Sequence, residues 1–292
     1  MRIDYRVPSS RDCILMDVNN WLTPNGNLQS YRLNGKSAKT NITKVMDTNL
    51  ESPEFQGLLS KEDIILVSDV ASDVALMRGY RRDNTEKKYF NLPIQQIHGV
   101  FKNNKIDYEN LNMLTDKILV KKLEETEETS LLLLNSNVMI GEVLKIGKNV
   151  TNVHVGDKIL IKDNISTKIS LNGETYYSLE ERMVAGIFGS SFAIEDLNLI
   201  NGTILMKSYK GEKVLNSKLL LTPTLNYEDL DFSDIHNRDL FQVELADKNL
   251  DKLEKNDIIL VNRDYTNYVF YNTEKYFSIN GYSEISAKIR RE

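Results

Sequence analysis

Short apolar segments separated by turn residues follow one another along the whole chain. The three clearest, at 61–69, 155–163 and 255–264, read KEDIILVSD, VGDKILIKD and KNDIILVNRD. Each has an aspartate in a polar turn and then an apolar run of about four residues, which is too short for a stable helix and is typical of a β-strand. Because many such strands with turns between them are typical of small barrels and sandwiches, the sequence predicts an all-β chain.

The aspartate-led strand belongs to a longer pattern that occurs three times. An apolar strand comes first, at 13–16, 117–120 and 203–206, and a second strand follows at 42–49, 140–147 and 241–248. After the aspartate come a tyrosine-containing segment, at 89–92, 176–179 and 276–279, and a final β-rich run, at 97–101, 184–188 and 285–289. Because Asp63, Asp157 and Asp257 are 94 and 100 residues apart, the repeating unit has the size of a small domain.

We therefore predict three tandem β-barrel modules, at residues 1–110, 111–193 and 194–292. Long connecting loops are expected at 19–41 and 210–238, and short helical segments at 54–59 and 227–234. Loops of this length in compact domains usually carry contacts with partners, so these loops are the first places to look for function.

The middle module resembles the co-chaperonin (GroES-like) family. Residues 115–122 (TDKILVKK), 141–147 (GEVLKIG) and 155–160 (VGDKIL) match three strand motifs of that family in order, and the similarity covers most of 113–188. The resemblance implies a small irregular GroES-like β-barrel here, and in the outer modules through their likeness to the middle one. It also implies subunits that close into a ring over a chaperonin, each with a mobile loop after its first strand whose apolar triplet docks on the chaperonin.

In this sequence the corresponding loops are 124–137 and 211–223. The candidate partner contacts in them are Leu131, Leu132, Leu133 and Leu134 in the first, and Leu219, Leu220 and Leu221 in the second. The first module has no such triplet between residues 19 and 41, and Trp21 is its candidate contact residue. The alternative, which we favour, is that both leucine runs are buried second strands of their barrels.

Reactive side chains are few and scattered in the sequence. The three histidines, His98, His154 and His236, fall in different modules near turns or strand ends, and we expect them at the surface. The single cysteine, Cys13, excludes an internal disulfide and lies in an apolar run where a buried position is expected. No zinc motif, phosphate-binding loop or opposed carboxylate pair is recognisable. The sequence thus predicts a protein that is not an enzyme, with no catalytic residue, cofactor or metal.

Charge and hydropathy narrow the possible partners. The net charge is −5, which is opposite to the basic balance typical of nucleic-acid-binding domains. No apolar run approaches the roughly 20 residues that span a bilayer. The residues after Met1 also lack the apolar stretch of a signal peptide. We expect neither a membrane span nor sequence-specific binding of nucleic acid.

The whole chain is similar to neck proteins, the head–tail connectors of large tailed phages of Gram-positive bacteria, in its length, its abundance of Asn, Lys, Asp and Ile and its lack of catalytic motifs. That resemblance implies a structural virion protein, assembled in the host cytoplasm, whose copies form a homo-oligomeric ring between capsid and tail. Its partners would be portal or adaptor and tail-terminator proteins, and the ring would enclose DNA without reading its sequence. A GroES-like co-chaperonin-type accessory protein and a capsid decoration protein are the alternatives that the sequence leaves open.

Overall fold

The computed structural model describes residues 12–17, 21–22, 28–29, 41–68, 80–82, 88–123, 140–162, 166–209, 219–221, 238–262, 266–271 and 274–289. In these residues the chain forms β-strands, turns and single-turn 3-10 helices, which confirms the all-β prediction. The strands make three seven-stranded sheets and one two-stranded sheet.

The first sheet comes from the first third of the chain. Its strands and the two short neighbours are β1 (Cys13–Asp17), β2 (Trp21–Leu22), β3 (Leu28–Gln29), β4 (Ile42–Asn49), β5 (Ile64–Val67), β6 (Tyr80–Arg82), β7 (Lys88–Pro93), β8 (Ile97–Phe101) and β9 (Leu111–Met113). Seven of them pair in the order β6-β7-β1-β4-β5-β8-β9, while β2 pairs with β3 separately.

The second and third sheets follow in the same way. The second uses β10 (Lys117–Lys122), β11 (Ile140–Ile146), β12 (Lys158–Ile161), β13 (Thr167–Leu171), β14 (Glu174–Glu180), β15 (Val184–Phe188) and β16 (Leu197–Leu199), in the order β13-β14-β10-β11-β12-β15-β16. The third uses β17 (Thr203–Ser208), β18 (Leu219–Leu221), β19 (Arg238–Ala246), β20 (Ile258–Asn262), β21 (Asn267–Tyr271), β22 (Glu274–Asn280) and β23 (Ile285–Ile289), in the order β21-β22-β17-β19-β20-β23-β18.

The three sheets have the same order of six equivalent strands and share one irregularity. Each aspartate-led strand has a register shift in its pairing with the following β-rich strand, just after Leu66, Leu160 and Leu260. A register shift at the same position of three strand pairs is a specific structural feature, and unrelated sheets would not be expected to share it. The threefold repeat found in the sequence is therefore a repeat of the backbone as well.

The seventh position of the sheet is filled differently in the third module. In the first two sheets it holds β9 and β16, which come after the other six strands of their sheets. In the third sheet it holds β18, which comes from the chain between β17 and β19 and pairs antiparallel with β23. This strand substitutes for β9 and β16 in space, although it occupies a different place in the sequence.

Two glycines explain why the seventh strand fits so closely. A Cβ atom on Gly99 would lie 2.8 Å from the carbonyl oxygen of Asn112, and one on Gly186 would lie 2.8 Å from that of Asn198. Both distances are below ordinary van der Waals contact, so a side chain here would push the edge strand away. In the third sheet Ala287 stands at this register position and pairs with Leu221 of β18, so the need for glycine belongs to the pairings with β9 and β16.

The sheets redefine the extent of each module. The predicted boundaries of 1–110, 111–193 and 194–292 assign β9 and β16 to the following modules, whereas these strands pair with β8 and β15 of the preceding sheets. We therefore use module 1 for residues 13–113, module 2 for 117–199 and module 3 for 203–289. The short connections 114–116 and 200–202 join them.

Each outer module has its own apolar interior. In module 1 it is formed by Ile14, Val45, Leu59, Ile65, Val67, Leu92, Ile94 and Ile97, with Leu114 from the following connection. In module 3 it is formed by Ile204, Met206, Phe241, Val243, Ile259, Val261, Ile279 and Ile285. Burial of such side chains contributes about 1.5–3 kcal/mol each relative to exposure, which is the main stabilisation that a small barrel has.

The chain packs as two compact units. The first comprises Met1–Lys121, Val143–Val155 and Ser166–Glu181, and therefore takes in module 1 with β10, β13 and β14. The second comprises Lys122–Glu142, Gly156–Ile165 and Arg182–Glu292, and takes in β12, β15 and β16 with module 3. The middle module thus contributes strands to both units.

One predicted helical segment is absent. Residues 54–59 form turns, with the amide of Phe55 donating to the Ser52 carbonyl and the amide of Leu58 donating to the Phe55 carbonyl. The second predicted segment, 227–234, lies outside the described residues. Residues 54–59 do not form a helix because their few local hydrogen bonds do not offset the free-energy cost of nucleating one.

Candidate functional site

The first unit contains a junction at which modules 1 and 2 share a buried apolar core. Module 1 contributes side chains from β4, β5, β8 and β9, and module 2 contributes side chains from β10, β13 and β14. The buried members are Ile42, Ile64, Leu66, Phe101, Leu111 and Met113 from module 1, and Leu119, Ile169, Leu171 and Tyr176 from module 2. A continuous core of this kind fixes the two modules to each other, as in the interior of one domain.

The second unit contains an equivalent junction between modules 2 and 3. Its buried members are Ile140, Leu160, Ala185, Phe188, Leu197 and Leu199 from module 2, and Leu205, Val269 and Tyr276 from module 3. These side chains come from β11, β12, β15 and β16 on one side and from β17, β21 and β22 on the other. The junction is therefore built from the same strands of each module as the first.

The two junctions also agree residue by residue. Ile42 pairs with Leu66 in module 1, as Ile140 pairs with Leu160 in module 2. On the other side, Ile169 pairs with Tyr176 in module 2, as Val269 pairs with Tyr276 in module 3. The junction side chains on β4, β5, β8, β9 and their equivalent strands form what we call the outgoing face of a module. The junction side chains on β1, β6, β7 and their equivalent strands form its incoming face. Because two different faces meet, each junction is heterologous.

Buried polar groups add specificity to the first junction. The Nδ1 atom of His98, on the outgoing side, lies 2.7 Å from the hydroxyl oxygen of Ser178, on the incoming side, and the two groups form a hydrogen bond. The Asn41 side-chain amide donates to the carbonyl oxygen of Lys168 over 3.0 Å. Burial lowers the pKa of His98 from 6.5 to about 3, with a further lowering by Lys117 that Asp116 partly opposes. His98 is therefore neutral at physiological pH.

This burial corrects the sequence-based expectation for His98. The residue is 6% exposed and lies within β8, whereas a surface position near a turn was expected. The reason is that module 2 covers the strand, which no local pattern around Gly99 reveals. Of the other two histidines, His154 is exposed, as expected, and His236 lies outside the described residues.

A buried cation reaches across the second junction. The Lys162 ammonium, which follows β12 of module 2, donates to Oδ1 of Asn280 in module 3 over 2.7 Å and to the Arg182 carbonyl over 3.1 Å. Lys162 is 2% exposed, and burial lowers its pKa from 10.5 to about 8, against the opposing charge of Glu284. A buried ammonium needs such partners, because an unpaired one is very costly.

A second buried lysine lies inside module 2. The Lys117 ammonium lies 2.8 Å from an Asp116 oxygen and 3.0 Å from a Glu180 oxygen, and its side chain is 3% exposed. Since Lys117 and Glu180 are paired residues of β10 and β14, this ion pair holds the incoming face of module 2 in shape. At the equivalent positions, module 3 has Thr203 and Asn280.

The comparisons with known proteins single out module 2. The family model described as the chaperonin 10 Kd subunit matches residues 110–188. The co-chaperonin GroES of Campylobacter jejuni subsp. doylei is 32% identical over 83 residues, which are 27% of this chain and 96% of the relative. The co-chaperonin GroES of Campylobacter lari is 35% identical over a region of the same extent.

The chain belongs to the chaperonin 10 family. The match runs from β9 to β15 and contains all three motifs on which the resemblance of the sequence depended, so the prediction of a GroES-like middle module is confirmed. The outer modules share the order of six sheet strands with this chaperonin 10 domain. The resemblance to phage neck proteins stays a prediction.

The predicted contact residues can be compared with this chaperonin 10 fold. Leu131, Leu132, Leu133 and Leu134 lie outside the described residues. Leu219, Leu220 and Leu221 form β18, so they lie in a strand at the edge of the third sheet and not in a second strand next to β17. The backbone of Trp21 pairs with that of Gln29. The role of these residues in partner contacts stays a prediction.

Within the described ranges, no group of three or more His, Cys, Asp or Glu side chains could hold a metal ion. In the same part of the chain, no helix has the length and apolar character needed to cross a bilayer.

Proposed function

We propose that this chain is a non-enzymatic, co-chaperonin-type accessory protein. In this proposal the three modules form a scaffold, and the segment between β10 and β11 of module 2 contacts a chaperonin. The observation that carries the proposal is the match of the chaperonin 10 model to residues 110–188, whose curated relatives are named co-chaperonins.

The position of the leucine run supports this assignment of roles. Residues 124–139 join the first and second strands of module 2, which is where the family resemblance implies the docking loop. The segment contains four consecutive leucines, 131–134, after an acidic stretch at 124–128. An apolar run beside polar and charged residues is typical of a site of protein–protein contact.

The junctions support the scaffold role. Their buried side chains are apolar, and their main polar groups, His98, Ser178, Lys162 and Asn280, are engaged in hydrogen bonds with each other across the junctions. His98, Ser178 and Lys162 are thereby fixed in place and withdrawn from solvent. An accessory protein of this kind acts through surfaces and needs no reacting group.

Binding to a bacterial chaperonin tests the proposal. The full chain would be immobilised and exposed to a purified double-ring chaperonin with ATP, ADP or no nucleotide. We expect binding with nucleotide and loss of that binding in Leu132→Asp, because a carboxylate cannot enter an apolar docking site without a large desolvation cost.

A matched control separates docking from folding. Thr129→Asp places the same charge three residues away in the same loop and should bind as the unmodified chain does. Circular dichroism must give the same β-spectrum for all three proteins. Absence of binding in every nucleotide state, or equal binding by Leu132→Asp, would contradict the proposal.

A further inference from the structure

The second junction brings a lysine side chain and a carboxamide into direct contact. The Lys162 side chain is 2% exposed, and its Nζ atom lies 2.7 Å from Oδ1 of Asn280. Because a C=O bond is about 1.2 Å long, the carboxamide carbon of Asn280 lies at most about 3.9 Å from that nitrogen. Atoms poised to react are typically about 3–3.5 Å apart, so a small rotation of the carboxamide brings this nitrogen and carbon to reacting distance.

A second buried lysine, Lys117, has a different environment. Its ammonium lies 2.8 Å from an oxygen of Asp116 and 3.0 Å from an oxygen of Glu180, so two carboxylates stabilise it as a cation. Ionised carboxylates also resist attack by a nucleophile, because they already carry negative charge. Asn280 stands at the position of Glu180 and presents an uncharged carboxamide, and Lys162 donates to neutral oxygen atoms. The second junction therefore has a nucleophile and an acceptor where the first has an ion pair.

A carboxyl group next to Asn280 can exchange a proton with the lysine. Oε2 of Glu284 accepts a hydrogen bond from the backbone amide of Asn280 over 2.9 Å, and its charge acts on Lys162. Burial raises the pKa of Glu284, and burial lowers the pKa of Lys162 from 10.5 to about 8. Both shifts favour the neutral forms, so the transfer of a proton from the ammonium to the carboxylate costs less than it would in water. The transfer leaves an amine, which is the nucleophilic form of lysine.

A buried hydroxyl group lies on the same face of the sheet as the carboxamide. Thr203 pairs directly with Asn280, is 0% exposed, and has no hydrogen-bond partner for its Oγ1 atom. Side chains of directly opposed residues in an antiparallel pair share one face, with their Cβ atoms about 4.5–5.5 Å apart. Buried polar atoms without a partner are rare and need an explanation. A donor at this place can stabilise the negative charge that develops on the carboxamide oxygen when an amine attacks the carbon.

We propose that Lys162 and Asn280 form an intramolecular isopeptide bond, which joins module 2 to module 3 covalently. The bond between Nζ and the carboxamide carbon forms, and the bond between that carbon and Nδ2 breaks. Two protons leave the Lys162 nitrogen. One passes through Glu284 to the departing nitrogen, which leaves as ammonia, and the other is released to water, so atoms and charge balance without a further reactant. Thr203 donates to the carboxamide oxygen during the attack.

The bond closes a covalent loop between residues 162 and 280, which are 118 positions apart. A cross-link stabilises a protein mainly by restricting the unfolded chain, and the effect grows with the length of the loop. The link between modules 2 and 3 is thus permanent, whereas the His98–Ser178 contact between modules 1 and 2 is a reversible hydrogen bond. The reaction does not depend on chaperonin binding, so its test is independent of the docking assay.

The mass of the purified, denatured full chain tests the bond. The parent chain should be lighter than its sequence requires by one ammonia molecule, and trypsin should release a branched peptide that contains both Lys162 and Asn280. Lys162→Arg, which keeps the positive charge without the amine, and Asn280→Ala should have their full masses. Lys158→Arg is the matched control, because Lys158 is an exposed residue of the same strand, and should still lose ammonia. A parent chain that keeps its full mass after incubation at pH 8 would overturn the proposal.

A different reaction of Asn280 also releases ammonia and has to be distinguished. Gly281 follows Asn280, and attack of its backbone nitrogen on the carboxamide would give a cyclic imide. In the folded chain this nitrogen donates to the Gly202 carbonyl over 2.7 Å. The imide needs no lysine and leaves a linear peptide that trypsin cleaves after Lys162. Loss of ammonia that persists in Lys162→Arg, with the same β-spectrum as the parent chain, would therefore contradict the isopeptide bond.

Two further variants test the supporting groups. Glu284→Gln removes the proton carrier and Thr203→Val removes the hydroxyl at nearly constant volume. Each should slow the loss of ammonia at least about tenfold when mass is followed over time after cell-free synthesis. Rates equal to that of the parent chain would overturn the roles of these two residues. Stability comparisons at Lys162 and Asn280 use the unlinked Glu284→Gln chain as their background.

Discussion

The two junctions within the chain have the same apolar faces and different polar groups. In the first, His98 reaches across to Ser178. In the second, the equivalent positions hold Ala185 and Ser278, and the hydroxyl of Ser278 is buried without a hydrogen-bond partner. The two junctions therefore share the strand positions of their apolar side chains. They differ in the polar pairs that lie beside those side chains.

The buried charged groups also differ between the modules. Module 2 keeps Lys117 and Glu180 as an ion pair within its own incoming face. Module 3 has Thr203 and Asn280 there, and the cation comes instead from Lys162 of the preceding module. A buried ion pair often stabilises a protein no more than a pair of apolar side chains of similar volume does. Such exchanges therefore change the specificity of a junction more than its total stability.

The largest expected effect on stability comes from shortening the apolar side chains that the two junctions share. Leu66→Ala and Leu160→Ala remove fully buried side chains at equivalent places in the two junctions. Each should lower the free energy of unfolding by about 2–5 kcal/mol. Leu260→Ala, at the half-buried equivalent, should cost less than either. Chemical denaturation measures all three, and a cost for Leu260→Ala that equals the other two in the monomer would contradict the comparison.

The next effect distinguishes the buried cation of the second junction. Asn280→Ala leaves the Lys162 ammonium with the Arg182 carbonyl but without its side-chain acceptor, and should cost about 1–3 kcal/mol. Lys162→Met removes the charge itself and should be nearly neutral or stabilising. The double variant should match Lys162→Met alone. A cost for Lys162→Met as large as that for Asn280→Ala would show that the cation stabilises the junction.

The sequence predicted what local patterns determine. The strands after Asp63, Asp157 and Asp257 were found because their apolar runs lie between turn residues. The three-residue strands β9 and β16 pair with β8 and β15 across the predicted module boundaries, and a sequence pattern does not reveal this pairing, because three residues carry no pattern of their own.

The candidate site was harder to predict than the fold. The His98–Ser178 contact joins residues of two modules and exists only when those modules pack, so no spacing in the sequence identifies it. The threefold repeat does show that His98 is unusual, because the equivalent residue of module 2 is Ala185, while Ser178 has a second serine, Ser278, as its equivalent in module 3.

Acid should weaken the first junction more than the second. The folded-state pKa of His98 is lowered to about 3, below the ordinary value of 6.5, so below pH 6.5 the unfolded chain binds a proton that the folded chain does not. The contribution of this group is thus complete above pH 6.5 and is lost as the pH falls towards 3. The expected slope is roughly 1 kcal/mol per pH unit.

His98→Gln supplies the control for this pH dependence, because glutamine keeps a hydrogen-bonding group for Ser178 and does not titrate. Denaturation between pH 6.5 and 5 avoids most carboxylate titration. The unmodified chain should lose about 1–2 kcal/mol more than His98→Gln over this range. Parallel curves for the two proteins would exclude His98 as the source.

The smallest effects should have opposite signs at equivalent serines. Ser178→Ala leaves the buried Nδ1 atom of His98 without its partner and should cost about 1–2 kcal/mol. Ser278→Ala removes a buried hydroxyl that has no hydrogen bond and should leave stability unchanged or raise it by up to about 1 kcal/mol. Denaturation of both variants at one pH above 7 gives the comparison directly. Equal losses at the two serines would mean that the polar difference between the junctions has no energetic consequence, and that their apolar faces alone determine how the modules join.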